Sequence, residues 1–375
     1  MNTFLSPTQE ALQQQYRTFA SETVSPLAAD LESHKICLRD FLQTLGQKGY
    51  LGISVPREYG GQGQTFLQSV LFVEALCQYE AGLGLTLASY QAVIEVLKKF
   101  GTDKQKSRYL PLLSRGEVLG TLAFTEENAG TDMFAVSSTL QADGDGFQLH
   151  GKKVFVVNGE MSGLHLVLAK TENALGLFLV DTAENPAVEV GANRSRMGLK
   201  SARANNVEYK GTKVSRDAQV SGGKSVEFMA EFAMDVAKVV LSGAAVGLLR
   251  TCLEMAVEHA RTRQQFGTNI GQFQGIQWKL ADMVTESSGA ELQVCRAAWA
   301  LEEEPEKFAT YAAMCKWFAA KVARFHSGEA IQVLGAAGLS EELPLERFYR
   351  DAKAMEICLG TSEAQKIQLV SELAI

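Results

Sequence analysis

The densest run of ligand-competent residues is Leu122-Ala123-Phe124-Thr125-Glu126-Glu127-Asn128-Ala129-Gly130-Thr131-Asp132. An Ala-Gly pair lets backbone approach a ligand, and the hydroxyls of Thr125 and Thr131 can bond its polar edge. A glycine turn at a domain junction would read the same way. A second run, Ala260-Arg261-Thr262-Arg263-Gln264-Gln265-Phe266-Gly267, offers guanidinium groups whose planar donors fork onto phosphate oxygens. A solvated basic helix end accounts for Arg261 but not for the whole string.

Other candidates carry less. Asp235 and Glu356 are acids, neither a persuasive substitute for a catalytic base, and a structural role suits each better. His150, His165, His259 and His326 lack metal-ligand spacing and read as satisfied structural residues. Cys37, Cys77, Cys252, Cys295, Cys315 and Cys358 include no CxxC pair, which suggests neither a zinc site nor a disulfide framework. The glycines of Tyr59-Gly60-Gly61-Gln62-Gly63 are not set between a strand and a helix, as a dinucleotide loop requires.

The chain has 375 residues, 46% of them hydrophobic and 21% charged, enough for two or three cores in an ordinary globular protein. Its formal charge of -7, without a block of like charges, gives no reason to expect nucleic acid or an anionic membrane as partner. Met1 to Leu5 lack a basic signal region, and the apolar stretch Val239 to Leu249 reads as too short to span a bilayer. A reducing cytoplasm is the expected compartment.

Three segments differ in period. Residues 1–120 read as helical, with a capping box at Ser6-Pro7-Thr8-Gln9 and another at Thr102 and Gln105 after Gly101. Residues 121–222 hold short strand-like runs at 138–141, 147–150, 154–157, 165–168 and 176–180, with Asp143-Gly144-Asp145-Gly146 as a hairpin turn. A small antiparallel sheet or barrel is expected. Residues 223–375 return to long helical periods at 228–263, 272–303 and 308–334, and hold all three tryptophans. Helices, sheet, then a helical bundle is an α+β arrangement.

These strings resemble the acyl-CoA dehydrogenase family. The first is similar to its T-E-P-x-A-G-S-D, with Glu127 for proline and Thr131 for serine. The second resembles R-x-x-F-G and continues through Ile270, Phe273-Gln274 and Leu280-Ala281-Asp282-Met283. A third, Gln332-Val333-Leu334-Gly335-Ala336-Ala337-Gly338 with Glu346-Arg347-Phe348-Tyr349-Arg350-Asp351-Ala352-Lys353 and Gly360-Thr361-Ser362-Glu363, is similar to Q-x-L-G-G-x-G, R-x-x-R-D-A-K and E-G-T-S-E. The resemblance implies an α-helical domain, a β-barrel and a four-helix bundle, bound FAD, and a homotetramer built as a dimer of dimers. It implies that Leu122, Phe124, Thr125, Gly130, Thr131, Phe155, Val156 and Val157 meet the flavin and its pyrophosphate, and that Thr361 and Glu363 meet FAD near the last helix. Arg263, Gln265, Phe266, Gln274, Gln332, Leu334 and Gly335 would serve the adenosine side of a neighbour's FAD, and Thr131, Asp235, Lys238, Leu359 and Gly360 would border the substrate.

Two departures bear on chemistry. Phe155-Val156-Val157-Asn158 stands where the family has W-I-T-N, so Val157 brings no hydroxyl to the flavin. Leu359 stands where most members have the glutamate that removes the α-proton, and Ala237 stands where some relatives place it instead. Glu356 and Asp235 are the nearby acids, and Lys238 replaces an arginine common at the pocket.

The resulting expectation is an FAD-dependent oxidoreductase acting by atypical chemistry on an acyl thioester of CoA or of acyl carrier protein. Electron-transfer flavoprotein is an expected partner. A base-less FAD-binding subunit of a larger dehydrogenase and a flavin monooxygenase relative stay open as alternatives.

Overall fold

The computed structural model describes residues 5–172, 174–182 and 185–373; Met1 to Phe4 of the N-terminal reading lie outside them. The first layer is helical: α1 (Pro7–Thr23), α2 (Ala28–Glu32), α3 (Leu38–Gln47), α4 (Phe66–Cys77), α5 (Gly82–Phe100) and α6 (Asp103–Ser114). Capping boxes start three of them. Ser6 and Gln9 exchange backbone and side-chain bonds at α1, Thr65 and Gln68 do so at α4, and Thr102 and Gln105 at α6. Every residue of α4 is buried, so this helix lies inside the molecule rather than on it.

Seven strands follow: β1 (Gly120–Ala123), β2 (Thr139–Asp143), β3 (Gly146–Val157), β4 (Leu164–Lys170), β5 (Leu175–Asp181), β6 (Val188–Val190) and β7 (Ala204–Ser215). They run in the order β1-β4-β2-β3-β7-β6, with β5 on β4, as one curled sheet. Leu140, Leu149, Val167, Phe178, Tyr209 and Val214 fill its own core, separate from that of the helices. The β2–β3 hairpin turns at Gly144, whose φ of 58° is the left-handed geometry an Asp-Gly turn supplies.

The sheet corrects two expectations. It is not wholly antiparallel: β1 lies parallel to β4, which the long intervening connection through β2 and β3 permits. The runs 147–150 and 154–157 are one strand, broken in register near His150 and again between Lys153 and Val156. Such a bulge re-aims side chains, and here it sets Phe155 at a φ of 55°.

The third layer holds α7 (Val226–Thr262), the ribbon β8 (Gln264–Gln265) and β9 (Thr268–Asn269), then α8 (Gln274–Glu303), α9 (Phe308–Leu334), α10 (Leu345–Met355) and α11 (Ser362–Glu372). The apolar stretch at 239–249 proves to be part of α7, whose 37 residues are long and apolar enough to cross a membrane; here its most apolar window is packed inside the protein. Backbones approach closely around it. A Cβ on Gly247 would stand 2.1 Å from the carbonyl oxygen of Glu74, and one on Gly84 would stand 2.2 Å from Ala244.

One buried polar knot ties the three layers. The Asp351 carboxylate on α10 accepts the Leu199 N–H, Arg347 donates to Tyr79 O at 2.8 Å, and Glu80 accepts from Ser201 Oγ at 2.9 Å. Arg350 adds bonds to Glu346, Glu32 and the Met197 carbonyl. The R-x-x-R-D string is thus a junction, and it fixes the start of the turn that follows α10.

Candidate flavin and thioester site

Two backbone segments form one wall. Val154 N–H donates to Thr125 O at 2.9 Å, which sets the exposed Thr125 beside β3 and its bulge. Phe155 remains 49% exposed, and the guanidinium of Arg194 stacks 4.6 Å from its ring centroid. Gly130 and Thr131 are exposed in the loop beyond, and a Cβ on Gly130 would meet nothing within 4 Å. Val156 instead packs into the barrel core, and Leu122 and Phe124 are buried. Leu122 gives its N–H to Ser89 Oγ, and the carbonyl of half-buried Val157 accepts from Thr121 Oγ1 at 2.6 Å.

Behind the wall sits a charge pair. Lys153 Nζ donates to Glu126 Oε1 at 2.7 Å and to the carbonyls of Phe124 and Leu168 at 3.1 and 2.6 Å. The N–H and hydroxyl groups of Ser137 and Ser138 complete the carboxylate's shell. Burial would raise the Glu126 carboxyl, but the Lys153 charge and these hydrogen bonds outweigh it and hold the pKa down at about 2. Burial pulls Lys153 down to about 8 against the attraction of Glu126. These bonds tie the segment that carries Phe124 and Thr125 to β3, to β4 and to the Ser137–Ser138 backbone.

The second wall is the turn after α10. Leu359 and Gly360 have φ of 58° and 93°, the left-handed region that costs a branched residue roughly 1–2 kcal/mol. Glycine suits the second position because L side chains rarely adopt a φ of 93°. Lys316 Nζ on α9 donates to Gly360 O at 2.9 Å, and Thr361 caps α11 by accepting the Ala364 N–H at 3.3 Å. Glu363 is exposed beside it, its carboxyl held low by its own backbone N–H and the Thr361 hydroxyl. Among the described residues the N–H groups of Leu359 and Gly360 meet no protein acceptor.

Neither nearby acid is free to act as a base. Glu356 is paired with Arg324 Nε at 3.0 Å and Lys353 Nζ at 2.9 Å. Asp235 is buried and paired with Lys238 at 2.8 Å, while Lys238 also donates to Gln368 at 3.1 Å. Ala237 is fully buried. Asp235, Lys238, Lys316 and the Leu359 turn therefore form one cluster where α7, α9 and α11 meet.

The remaining residues gather at one end of the α8–α9 hairpin. Gln274 opens α8, while Gln332 and Leu334 close α9, and the Lys279–Glu329 ion pair joins the two helices there. Gln274, Gln332 and Gly335 are exposed, and Leu334 is buried. The β8–β9 ribbon presents Gln265 and Phe266, the latter 94% exposed with a φ of 53°. Arg263 is exposed, and its guanidinium has no hydrogen-bond or ion-pair partner among the described residues. Among the described residues, no contact brings this group onto the barrel wall.

Glu126, Lys153 and Lys316 escaped the sequence reading as functional positions. Their signal was a charged residue inside an apolar strand or helix face, Lys153 before Val154-Phe155-Val156-Val157 and Lys316 between Cys315 and Trp317. The donor set suits FAD: threonine hydroxyls and an aromatic ring beside open space for the flavin, and an unpaired guanidinium with exposed glutamine amides for diphosphate and adenosine.

Comparison with known proteins agrees with this geometry. Three domain profiles cover the chain: acyl-CoA dehydrogenase N-terminal domain at residues 6–117, middle domain at 121–212 and C-terminal domain at 227–374. An acryloyl-CoA reductase (NADH) of Anaerotignum propionicum is 32% identical, with 100% of this chain and 96% of the relative covered. Butyryl-CoA dehydrogenase from Megasphaera elsdenii superposes with a TM-score of 0.94 at 28% identity, covering 100% of both chains. A prolyl acyl carrier protein oxidase superposes with a TM-score of 0.92 at 28% identity, covering 99% of this chain and 100% of the other.

Proposed function

Because the chain belongs to the acyl-CoA dehydrogenase family, we propose that it is an FAD-dependent acyl-thioester oxidoreductase that handles the α-proton without a carboxylate at either usual position. FAD, when bound, supplies the group that exchanges hydride with the thioester's β-carbon. The protein's own residues position and polarise. Thr125 and Phe155 line the flavin side, and the unpartnered N–H groups of Leu359 and Gly360 are donors for a thioester carbonyl. Hydrogen bonds to that oxygen stabilise the charge that develops as the α-carbon gives its proton to water.

The observation that carries this reading is the Leu359 turn itself. It keeps its left-handed geometry and its lysine tie while presenting an aliphatic side chain, and both neighbouring carboxylates are engaged in ion pairs. A positioned base contributes roughly 10²–10⁴-fold. The preferred substrate is therefore a thioester whose α-proton is already acidic, carried on CoA or on acyl carrier protein. Likeness to a prolyl acyl carrier protein oxidase supports the second carrier. Electron-transfer flavoprotein is the proposed redox partner.

Anaerobic flavin bleaching against saturated acyl-CoA, activated acyl-CoA and acyl-carrier thioesters tests the proposal. Slow bleaching by saturated acyl-CoA with faster bleaching by an activated thioester is expected; equally rapid bleaching by both would overturn it. Full burial of Ala237, together with Leu359, also favours a second reading as a base-less FAD-binding subunit. Stoichiometric co-purification with a glutamate-bearing homologue would select that one.

A further inference from the structure

Lys316 is only 1% exposed, yet among the described residues it forms no ion pair with a carboxylate. Its single hydrogen-bond acceptor is the Gly360 carbonyl, 2.9 Å away. That bond ties α9 to a turn whose Leu359 and Gly360 both lie in the left-handed region. A buried ammonium is expensive to keep, and here one carbonyl oxygen is its hydrogen-bond partner among the described residues. We propose that Lys316 is a positioning residue: its ammonium holds the Leu359–Gly360 turn in place, and loss of its proton loosens that turn. The inference rests on the reading that this turn borders the flavin and thioester site.

The groups around the ammonium come from three elements. α7 contributes Lys238 and Asp235, which pair with each other; the turn contributes Glu356, already held by Arg324 and Lys353, and Cys358; α9 itself contributes Cys315. Burial is the main force pulling Lys316 down to about 8, Lys238 adds to it, and Cys358, Glu356 and Cys315 pull the other way. A charged donor bonds a carbonyl about twice as strongly as a neutral one. Deprotonation therefore weakens the tie at Gly360, while the Arg324–Glu356 pair still holds the start of the turn.

The experiment uses the full-length, FAD-loaded protein. Hydrogen–deuterium exchange of a peptide spanning 356–362 is followed from about pH 6.5 to about pH 9.5, with α1 as internal reference to remove intrinsic base catalysis. In the wild type the turn should exchange faster than the reference above a midpoint near 8. In Lys316→Met it should be about tenfold or more faster at every pH, a change matching loss of a charged hydrogen bond; Lys316→Arg should restore most of the protection. A wild-type turn that tracks the reference throughout, or a Lys316→Met turn as protected as wild type, overturns the proposal. Should Lys316→Met not fold, the wild-type series decides alone. The flavin absorption band is recorded in parallel: a turn that loosens without moving the band supports the Lys316 tie and removes the turn from the flavin site.

Discussion

Lys153 and Glu126 are 27 residues apart in sequence and 2.7 Å apart in the fold, and both are buried. Their contact joins the segment bearing Thr125 to the strand bearing Phe155, so the pair governs the spacing of the wall proposed to meet the flavin. The Glu126 carboxyl is held at about 2 against an ordinary value of 4.5. Its folded value being the lower, its contribution is complete above about pH 4.5 and is lost as pH falls toward 2, with a size on the order of 3 kcal/mol. Guanidinium unfolding at about pH 6 and about pH 3 should show the wild type losing stability relative to Glu126→Gln at the acid end. A constant gap between them would contradict this.

Arg263→Ala should leave the fold intact, since the side chain has no hydrogen-bond or ion-pair partner among the described residues. Loss of a charge-assisted phosphate contact of about 1.5–3 kcal/mol weakens FAD binding roughly 10- to 150-fold. Dialysis followed by flavin absorbance reads the outcome; full flavin retention would remove Arg263 from the site.

Leu359→Glu places a carboxylate on the turn without altering its backbone demands. Bleaching by saturated acyl-CoA should rise by about 10²–10⁴-fold, the usual worth of a positioned base. Glu356→Gln should change bleaching little, its carboxylate being tied to Arg324 and Lys353. Failure of Leu359→Glu to gain activity while still holding FAD would favour the subunit reading.

At the three-layer junction, burial lifts the Asp351 carboxyl to about 8, the charge of Glu80 adds to the rise, and the Leu199 N–H and Arg347 oppose it. The folded value exceeds the unfolded one near 3.8. Its contribution is therefore complete at acid pH and is lost as pH rises through 8. From about pH 6 to about pH 9 the wild type should lose unfolding free energy relative to Asp351→Asn. Parallel curves would show that Asp351 is ionised throughout.

Phe266, Trp278, Phe325, Ile367 and Leu373 are large apolar side chains at least half exposed on a single chain. Such exposure fits the proposed dimer of dimers. Light scattering of the FAD-loaded protein should give a tetramer mass; a monomer holding stoichiometric FAD would refute the assembly.

The long helices were readable because their apolar residues repeat with one period over many turns: α9 begins and ends where that period does, at Phe308 and Leu334. The capping boxes at Ser6 and Thr102 were local strings and equally plain. Strand β7 was not, because Asn205 and Thr212, polar and fully buried, break the alternation that marks a strand. The site divides in the same way. Its threonines, arginine and missing glutamate lie within recognisable strings, whereas Lys153 and Lys316 acquire their partners only when distant segments meet. Charged residues ordinarily read as solvated, and burial is a property of the fold, not of the string.

The central place of α7 has a consequence for the order of assembly. Helices α4 and α5 lie against it, and the close contacts at Gly84 and Gly247 leave no room for anything else between them. During synthesis, then, the first hundred residues emerge with an apolar surface whose cover is still unmade, and at about 5–20 residues per second the cover arrives many seconds later. Until Thr262 has left the ribosome, the N-terminal helices are a partner waiting in water. A chain truncated before α7 should be retained by chaperones or aggregate, however complete its own helices are.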